Sequence, residues 1–483
     1  MGDPKKVGAR AINCGHHIDP LPHNRVDSTL MRRYLVFATA SLGLLMYTID
    51  STAVAVAFPS FMRELHTDVL WAGLTMSMFS VGVCMAMPLA GNLSDSFGRR
   101  RVFLVSLVLF TGSSLACGLA PNIYALIAFR LLQGIGGASF LPTASGMASD
   151  HFPESRQTVI GLLSSIFNVG SIIGPNLGGW IVSRYSWRYI FYINVPIGIG
   201  LMVLTTILLK DAKILSRRHV DVAGAVMMSG AILFLMFGLN LIGESFSTPS
   251  LLCAAALILL SFIFAGLFLR HEKKALNPIL DLSLLQSRPF VAANLMNLAT
   301  GAGILGLFAF IPLYATSVHK LSTLMSGVIL TPRSLGTIAA STITSFLLRR
   351  WGYRWPMVWG LSIVSGAMIL LTPGLPLGGL HLDNAWMLSF VVLISGIGSG
   401  ITTPAVNNAC IELMPEKVAT IVGLRGTFRI VGLALGISLI TFILHVSANP
   451  VIGFRITFIS FSLLLLSSLP LVFLMPSGKS ERV

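Results

Sequence analysis

Two side chains of opposite charge lie deep inside apolar stretches of this 483-residue chain, and their chemistry is that of a proton-binding pair. Asp50 is the one acid well inside a predicted membrane span, the apolar stretch 34–58. About 20 apolar residues match a hydrocarbon core roughly 30 Å thick, and a charge near its centre costs at least a few kcal/mol. Intramembrane acids mark proton and ion pathways; the plain alternative is an Asp that hydrogen-bonds a neighbouring helix or snorkels from a helix end. Arg130 interrupts another such stretch. Each lies about eight residues from the outer end of its span, and at 1.5 Å per residue both reach a depth of roughly 12 Å. They can therefore share one dry layer, where moving the carboxylate towards or away from the guanidinium would load or release a proton.

The elements that would position this pair follow from composition. The chain is 54% hydrophobic and 11% charged, which excludes an ordinary soluble domain and describes a multi-span helical membrane protein. Fourteen apolar stretches can be counted, at 34–58, 69–92, 102–120, 123–147, 157–182, 189–209, 220–242, 250–269, 290–316, 323–347, 355–373, 385–408, 418–444 and 454–475. Placing the N-terminus in the cytoplasm puts 24 of the 33 Lys and Arg on the inner side. The net charge of +15 thus reads as a topology signal against an anionic inner leaflet, and nucleic acid is not needed to explain it. Both termini are expected in the cytoplasm of a cell (inner or plasma) membrane.

Other chemistry is poorly represented. Cys14, Cys84, Cys117, Cys253 and Cys410 have no metal-ligand spacing, and His16, His17 and His23 fall in a polar tail. No secretory signal precedes the first span. There is no H-E-x-x-H, nucleophile elbow or G-x-x-x-x-G-K-[ST] loop, so an enzyme, a metal centre and nucleotide-driven pumping all lack support. No cofactor is expected beyond protons as coupling ion.

Glycines and short charged strings organise the spans. Gly91, Asp95, Gly98, Arg99 and Arg100 form an acidic and basic cluster in an inner loop, suited to a contact that breaks when helices move; a solvated turn is the plain alternative. Gly98 is echoed by Gly352, each beside basic residues after an apolar helix, which suggests two repeated halves. Gly170, Gly174 and Gly178 recur every four residues and drift slowly round one helix face, with Pro175 and Gly179 beside them. Such a face admits another helix closely, and proline permits a bend.

These strings carry a resemblance. GNLSDSFGRR at 91–100 resembles the signature loop of the major facilitator superfamily, and LIAFRLLQGIGGA at 126–138 its fourth-helix motif, matched at Arg130, Gln133, Gly134 and Gly136. GSIIGPNLGG at 170–179 resembles the antiporter motif of helix five, while LMYTIDSTAVAVAFP at 45–59 and WRYIFYINVPIG at 187–198 are similar to segments of the fourteen-helix drug:proton antiporters of the EmrB/QacA type. The resemblance implies an all-α membrane protein of major facilitator fold: 14 transmembrane helices, as two six-helix bundles plus two inserted helices. The expected boundaries are a tail at 1–33, an N-terminal bundle at 34–210, an insert with linkers at 211–275, a C-terminal bundle at 276–475 and a tail at 476–483. It implies proton-coupled export of hydrophobic drugs or toxic compounds by a monomer that contacts membrane lipids, with export of a lipid or other endogenous amphiphile as runner-up. A membrane-embedded sensor or enzyme is the remote alternative.

Departures also count. Arg349 stands where the first-half loop has Asp95, and Ser345 where it has Gly91. Gln133, Asn168, Asn297 and Arg333 are the candidate lining of a substrate cavity, Arg333 suiting an anionic group or a structural pair with a carbonyl or an acid. Arg425 and Arg429, one turn apart, read as lateral or loop anchors.

Overall fold

The computed structural model describes residues 23–152, 154, 156–209, 221–244, 248–275, 286–374, 385–413 and 418–477. Cys14, His16, His17, residues 1–22 of the N-terminal tail, residues 478–483 of the C-terminal one and the linkers 210–220 and 276–285 lie outside the described residues.

Regular structure among the described residues is helical throughout. In chain order the helices are α1 (His23–Glu64), α2 (Val69–Phe97), α3 (Arg99–Gly118), α4 (Ile123–Gly137), α5 (Phe140–His151), α6 (Arg156–Arg184), α7 (Arg188–Tyr192) and α8 (Asn194–Leu208). Then come α9 (Val222–Glu244), α10 (Thr248–Glu272), α11 (Arg288–Thr300), a π turn (Gly301–Gly306), α12 (Ile311–Ser317), α13 (Thr323–Val328), α14 (Leu330–Trp351) and α15 (Arg354–Leu370). The last four are α16 (Ala385–Glu412), α17 (Val418–Val446), α18 (Pro450–Ser467) and α19 (Leu469–Leu474). Eleven helical runs among the described residues are long and apolar enough to cross a membrane. The other three stretches expected to span are present as α6, as α13 with α14, and as α15.

Several helices differ from their expected outlines for reasons that lie in single residues. Breaks after α4, α7, α13 and α18 fall at Ser139, Ile193, Ile329 and Ser468, two or three residues before Pro142, Pro196, Pro332 and Pro470. Proline lacks the N–H that would bond four residues back, so the ladder gives way there. The expected inner loop at 91–101 is not a loop. Helix α2 runs on to Phe97 and α3 starts at Arg99, so Gly91 and Asp95 lie on α2, Arg99 and Arg100 open α3, and Gly98 alone joins them. It does so at φ +90°, a backbone region that only glycine adopts freely, and Gly352 repeats the device at φ +67° between α14 and α15. Elsewhere, side chains cap the turns: Asp68 accepts from the Leu70 and Trp71 amides, Asn122 from Ala125 and Asn449 from Ile452.

Helix packing sorts the chain into an N-terminal and a C-terminal group. In the first, α1 lies on α6, α2 on α4, and α3 on α4 and α8; in the second, α14 lies on α16, α15 on α16 and α18, and α17 on α11 and the π turn. The groups meet through α2 with α17 and α6 with α13 and α14, while α9 and α10 pair with each other and α9 fills the notch between α2 and α17. Close approach is made by small residues: a Cβ on Gly327 would strike the Pro175 carbonyl, and one on Gly73 the Thr441 side chain. Leu, Ile, Val and aromatic side chains such as Phe262 and Phe346 remain exposed on the outside, where a lipid-facing surface requires them. The spread of apolar surface and the crossing helices together make this a multi-pass membrane protein.

Candidate functional site

Five spans bring their polar residues to one point in the N-terminal group. Helix α1 supplies Asp50, α2 the Thr75 carbonyl, α3 Ser114, and α4 both Arg130 and Gln133, which share a face because they are three residues apart. The break at Ile193 starts α8 at Asn194, placing that amide in the same layer.

The geometry is that of a closed, fully bonded ion pair. Arg130 Nη1 lies 2.7 Å from Asp50 Oδ2, with both residues 1% exposed. The same nitrogen donates to Gln133 Oε1 at 2.6 Å, and Arg130 Nε to the Thr75 carbonyl at 3.3 Å. The other carboxylate oxygen, Asp50 Oδ1, accepts from Gln133 Nε2 at 3.0 Å and from Asn194 Nδ2 at 2.7 Å. Both amides also donate to the Ser114 hydroxyl, at 2.6 and 3.3 Å. The guanidinium stacks over Phe79 with its carbon 4.0 Å from the ring centroid. Here a desolvated carboxylate is balanced by one cation and two amides, so its charge is answered within the protein. Removing one member of a buried pair leaves a costly unpaired charge, about 3–5 kcal/mol, which is what makes such a pair switchable.

The glycine face of α6 abuts the helix that carries the acid. A Cβ on Gly170 would meet Thr48, one on Gly174 would meet Thr52 and the Ile49 carbonyl, and one on Gly178 would lie 2.8 Å from the Ala53 carbonyl. Gly174 and Gly178 thus hold α6 against the turns of α1 on either side of Asp50. Gly179 faces the other group instead, where a Cβ would lie 3.1 Å from the Thr323 carbonyl, and Pro175 on the same helix packs on Gly327. At the end of α2, Arg99 pairs with Asp150 of α5 and lies over Gly146, while Arg100 donates to the Thr206 carbonyl at 3.2 Å.

The four cavity candidates do not converge. Gln133 belongs to the closed Asp50 site, because both ends of its amide are already bonded there. Asn168 is part-exposed on α6, its carbonyl accepting from Ser171 at 2.7 Å; Asn297 is buried and bonds the Ala293 carbonyl of its own helix at 2.8 Å and Cys410 Sγ at 3.6 Å. Arg333 lies in the C-terminal group with its guanidinium over Phe308, and no carbonyl or acid among the described residues takes its Nε. Arg425 and Arg429, expected as lateral or loop anchors, are half-buried on α17 with their Nε atoms out of solvent. Sequence reasoning passed over Asn194 and Ser114. Asn194 stood inside the quoted string at 187–198, and an amide in an apolar span was the available signal.

A model of the Major Facilitator Superfamily matches residues 40–437 and, again, 330–482. The chain belongs to that superfamily. Among its relatives, Multidrug resistance protein 3 of Bacillus subtilis is 32% identical over 400 residues, covering 82% of this chain and 77% of that protein. The Tetracenomycin C resistance and export protein of Streptomyces glaucescens is 28% identical over 401 residues, with 82% and 74% covered. Among solved structures, a bacterial homolog of the human lysosomal transporter Spinster superposes with a TM-score of 0.69 at 16% identity, over 94% of this chain and 99% of that one. The xylose transporter XylE of E. coli gives 0.61 at 12% identity over 92% and 97%. These two likenesses establish the facilitator fold, and the relatives place the chain beside drug-resistance transporters of the superfamily.

Proposed function

We propose that this facilitator-superfamily chain exports hydrophobic drugs or toxic compounds across the cytoplasmic membrane in exchange for protons, by alternating access. In this reading the eleven apolar runs are joined by α6, α13–α14 and α15 to make fourteen spans, with both termini in the cytoplasm. They divide into bundles at 34–210 and 276–475 around the insert at 211–275, in a protein that works as a monomer.

The observation that carries the reading is the Asp50–Arg130 pair, closed off from water and held by Gln133 and Asn194. When the helices around it shift, the carboxylate loses a donor and protonation relieves the unpaired charge; when they return, the proton leaves. A proton moved through 100 mV is worth roughly 2.3 kcal/mol, enough for a gradient of tens-fold in a neutral substrate. The names of the relatives supply the substrate class: multidrug resistance and antibiotic export. Gly174 and Gly178 support the moving part, since they let α6 slide on α1 beside the acid.

Proteoliposomes holding purified protein and a pH-sensitive dye test this directly. Lipophilic compounds should evoke proton flux with the wild type and none with Asp50→Asn, provided the variant elutes as a monodisperse peak. Full proton-coupled transport by Asp50→Asn would end the proposal. Export of a lipid or other amphiphile is the second reading, favoured by the arginines of the C-terminal group.

A further inference from the structure

Three arginines remain that the Asp50 site does not use. Arg333 is on α14, and Arg425 and Arg429 are one turn apart on α17. None is at the end of its span: counting α13 and α14 as one span, Arg333 lies about 15 Å along from Thr323 at 1.5 Å per residue, and Arg429 about 16 Å along from Val418. Arg429 and Arg333 flank the π turn: a Cβ on Gly301, its first residue, would strike the Arg429 carbonyl, while Arg333 lies over Phe308 just past its end. Arg425 is one turn from Arg429 on the same helix.

Among the described residues their charges meet no counter-ion. The Nε atoms of all three are out of solvent without a hydrogen-bond partner among the described residues, and none of the three forms an ion pair there. Between Arg288 and Met475 the sequence holds three carboxylates, Asp383, Glu412 and Glu416. Asp383 and Glu416 lie outside the described residues; Glu412 is the last residue of α16 and hydrogen-bonds Tyr353. Helices α11–α15 and α17–α19 therefore carry no acid at all. In the other group, Asp50 is taken by Arg130.

The surroundings suit an amphiphile. The Arg333 guanidinium lies 4.2 Å over the Phe308 ring, just past the glycine-rich π turn, an irregularity that occurs often at functional sites. Arg425 packs beside Phe290, Ala293, Asn294, Cys410 and Leu413. Planar guanidinium groups bind carboxylate and phosphate through paired N–H donors, and do so best where water is excluded.

We infer that Arg333, Arg425 and Arg429 form a binding site for the oxyanion, carboxylate or phosphate, of an amphiphilic substrate whose apolar body packs along the C-terminal helices. The inference rests on the export reading for the word substrate, but the binding itself is measured without transport. A substrate that brings its own negative charge supplies the missing counter-ion, and a cationic compound is repelled from the same place.

The test is equilibrium binding to purified full-length protein in a neutral maltoside detergent. The probe is 11-(dansylamino)undecanoic acid, compared with its methyl ester, which keeps the body and removes the charge. The acid should bind the wild type at least about tenfold more tightly than the ester, in keeping with charge-assisted hydrogen bonds. That preference should shrink to less than about threefold in Arg333→Gln and in Arg425→Gln/Arg429→Gln, and be largely kept in Arg333→Lys. Displacement by lysophosphatidate but not by inorganic phosphate would mean that a lipid headgroup is the natural form, whereas displacement by both would mean a site for free oxyanions too; either supports the assignment. Equal affinity of the wild type for acid and ester overturns it, and needs no variant to fold. Absence of evoked proton flux in the wild type, with the preference intact, would count against the export mechanism alone.

Discussion

Asp50 carries three hydrogen bonds on its two oxygens, and each donor should make a separable contribution. Asn194→Ala removes one donor from Oδ1 and one from the Ser114 hydroxyl, leaving a buried carboxylate oxygen with Gln133 alone. A buried acceptor that loses a partner costs about 1–3 kcal/mol, so the thermal midpoint of the purified variant should fall. Arg130→Lys is no conservative change here. Lysine offers one compact ammonium in place of a fork that reaches Asp50 and Gln133 from Nη1 and the Thr75 carbonyl from Nε, and the stacking on Phe79 is lost. Proton flux in Arg130→Lys vesicles is expected to drop at least about tenfold, the equivalent of one lost charge-assisted bond. Wild-type flux in this variant would show that only the charge matters.

The elements depend on glycine in two different ways, and substitutions separate them. At Gly178 the constraint is space. A valine there would press on the Ala53 backbone, force α6 away from the acid-bearing turn of α1, and cost about 1–3 kcal/mol as overpacking. Transport should fail in Gly178→Val, while Gly200→Ala, on α8 with open space around its Cβ, should leave transport unchanged and raise the midpoint slightly. At Gly98 the constraint is conformational. Nothing lies within 4 Å of a Cβ there, yet its φ of +90° suits no L side chain, so Gly98→Ala should destabilise the α2–α3 corner by about 1–2 kcal/mol. Limited proteolysis between α2 and α3 would read that loosening, and unchanged cleavage would mean that the corner has another way to turn.

Across the whole molecule, the two helix groups meet through α2 with α17 and α6 with α13 and α14, and particular side chains tie that seam. The Asn176 amide donates to the Thr331 hydroxyl at 2.6 Å, Phe58 meets Phe310 edge-on, and His445 lies 3.5 Å from Asp68. Alternating access requires these to part. Cysteines at Asn176→Cys and Thr331→Cys, bridged by a short bifunctional thiol reagent in a background lacking the native cysteines, should stop transport, while either single cysteine should not. Continued transport by the bridged protein would place the moving interface elsewhere.

How far the sequence reaches can be judged from particular residues. Hydrophobic runs and basic loops were enough for the helical membrane class, because the bilayer imposes length and polarity on every span independently of its neighbours. The superfamily came from the resemblance of the strings at 91–100, 126–138 and 170–179. Asp50 and Arg130 could be put at one depth by counting, since rise per residue is constant along a helix. Counting does not show direction round the helix axis, and that is why the pairing of the two, and the part of Asn194 in it, needed the packed structure. Helix breaks before Pro142, Pro196, Pro332 and Pro470 were written in the residues, yet the expected loop at 91–101 closed to a single glycine because its polar residues fit helix ends as well as a turn. The sequence alone also showed three arginines and no acid within the C-terminal spans. That Arg429 and Arg333 come to the two ends of the π turn, and that among the described residues Arg130 alone of the four span arginines meets a carboxylate, was decided by tertiary contacts between residues that are far apart along the chain.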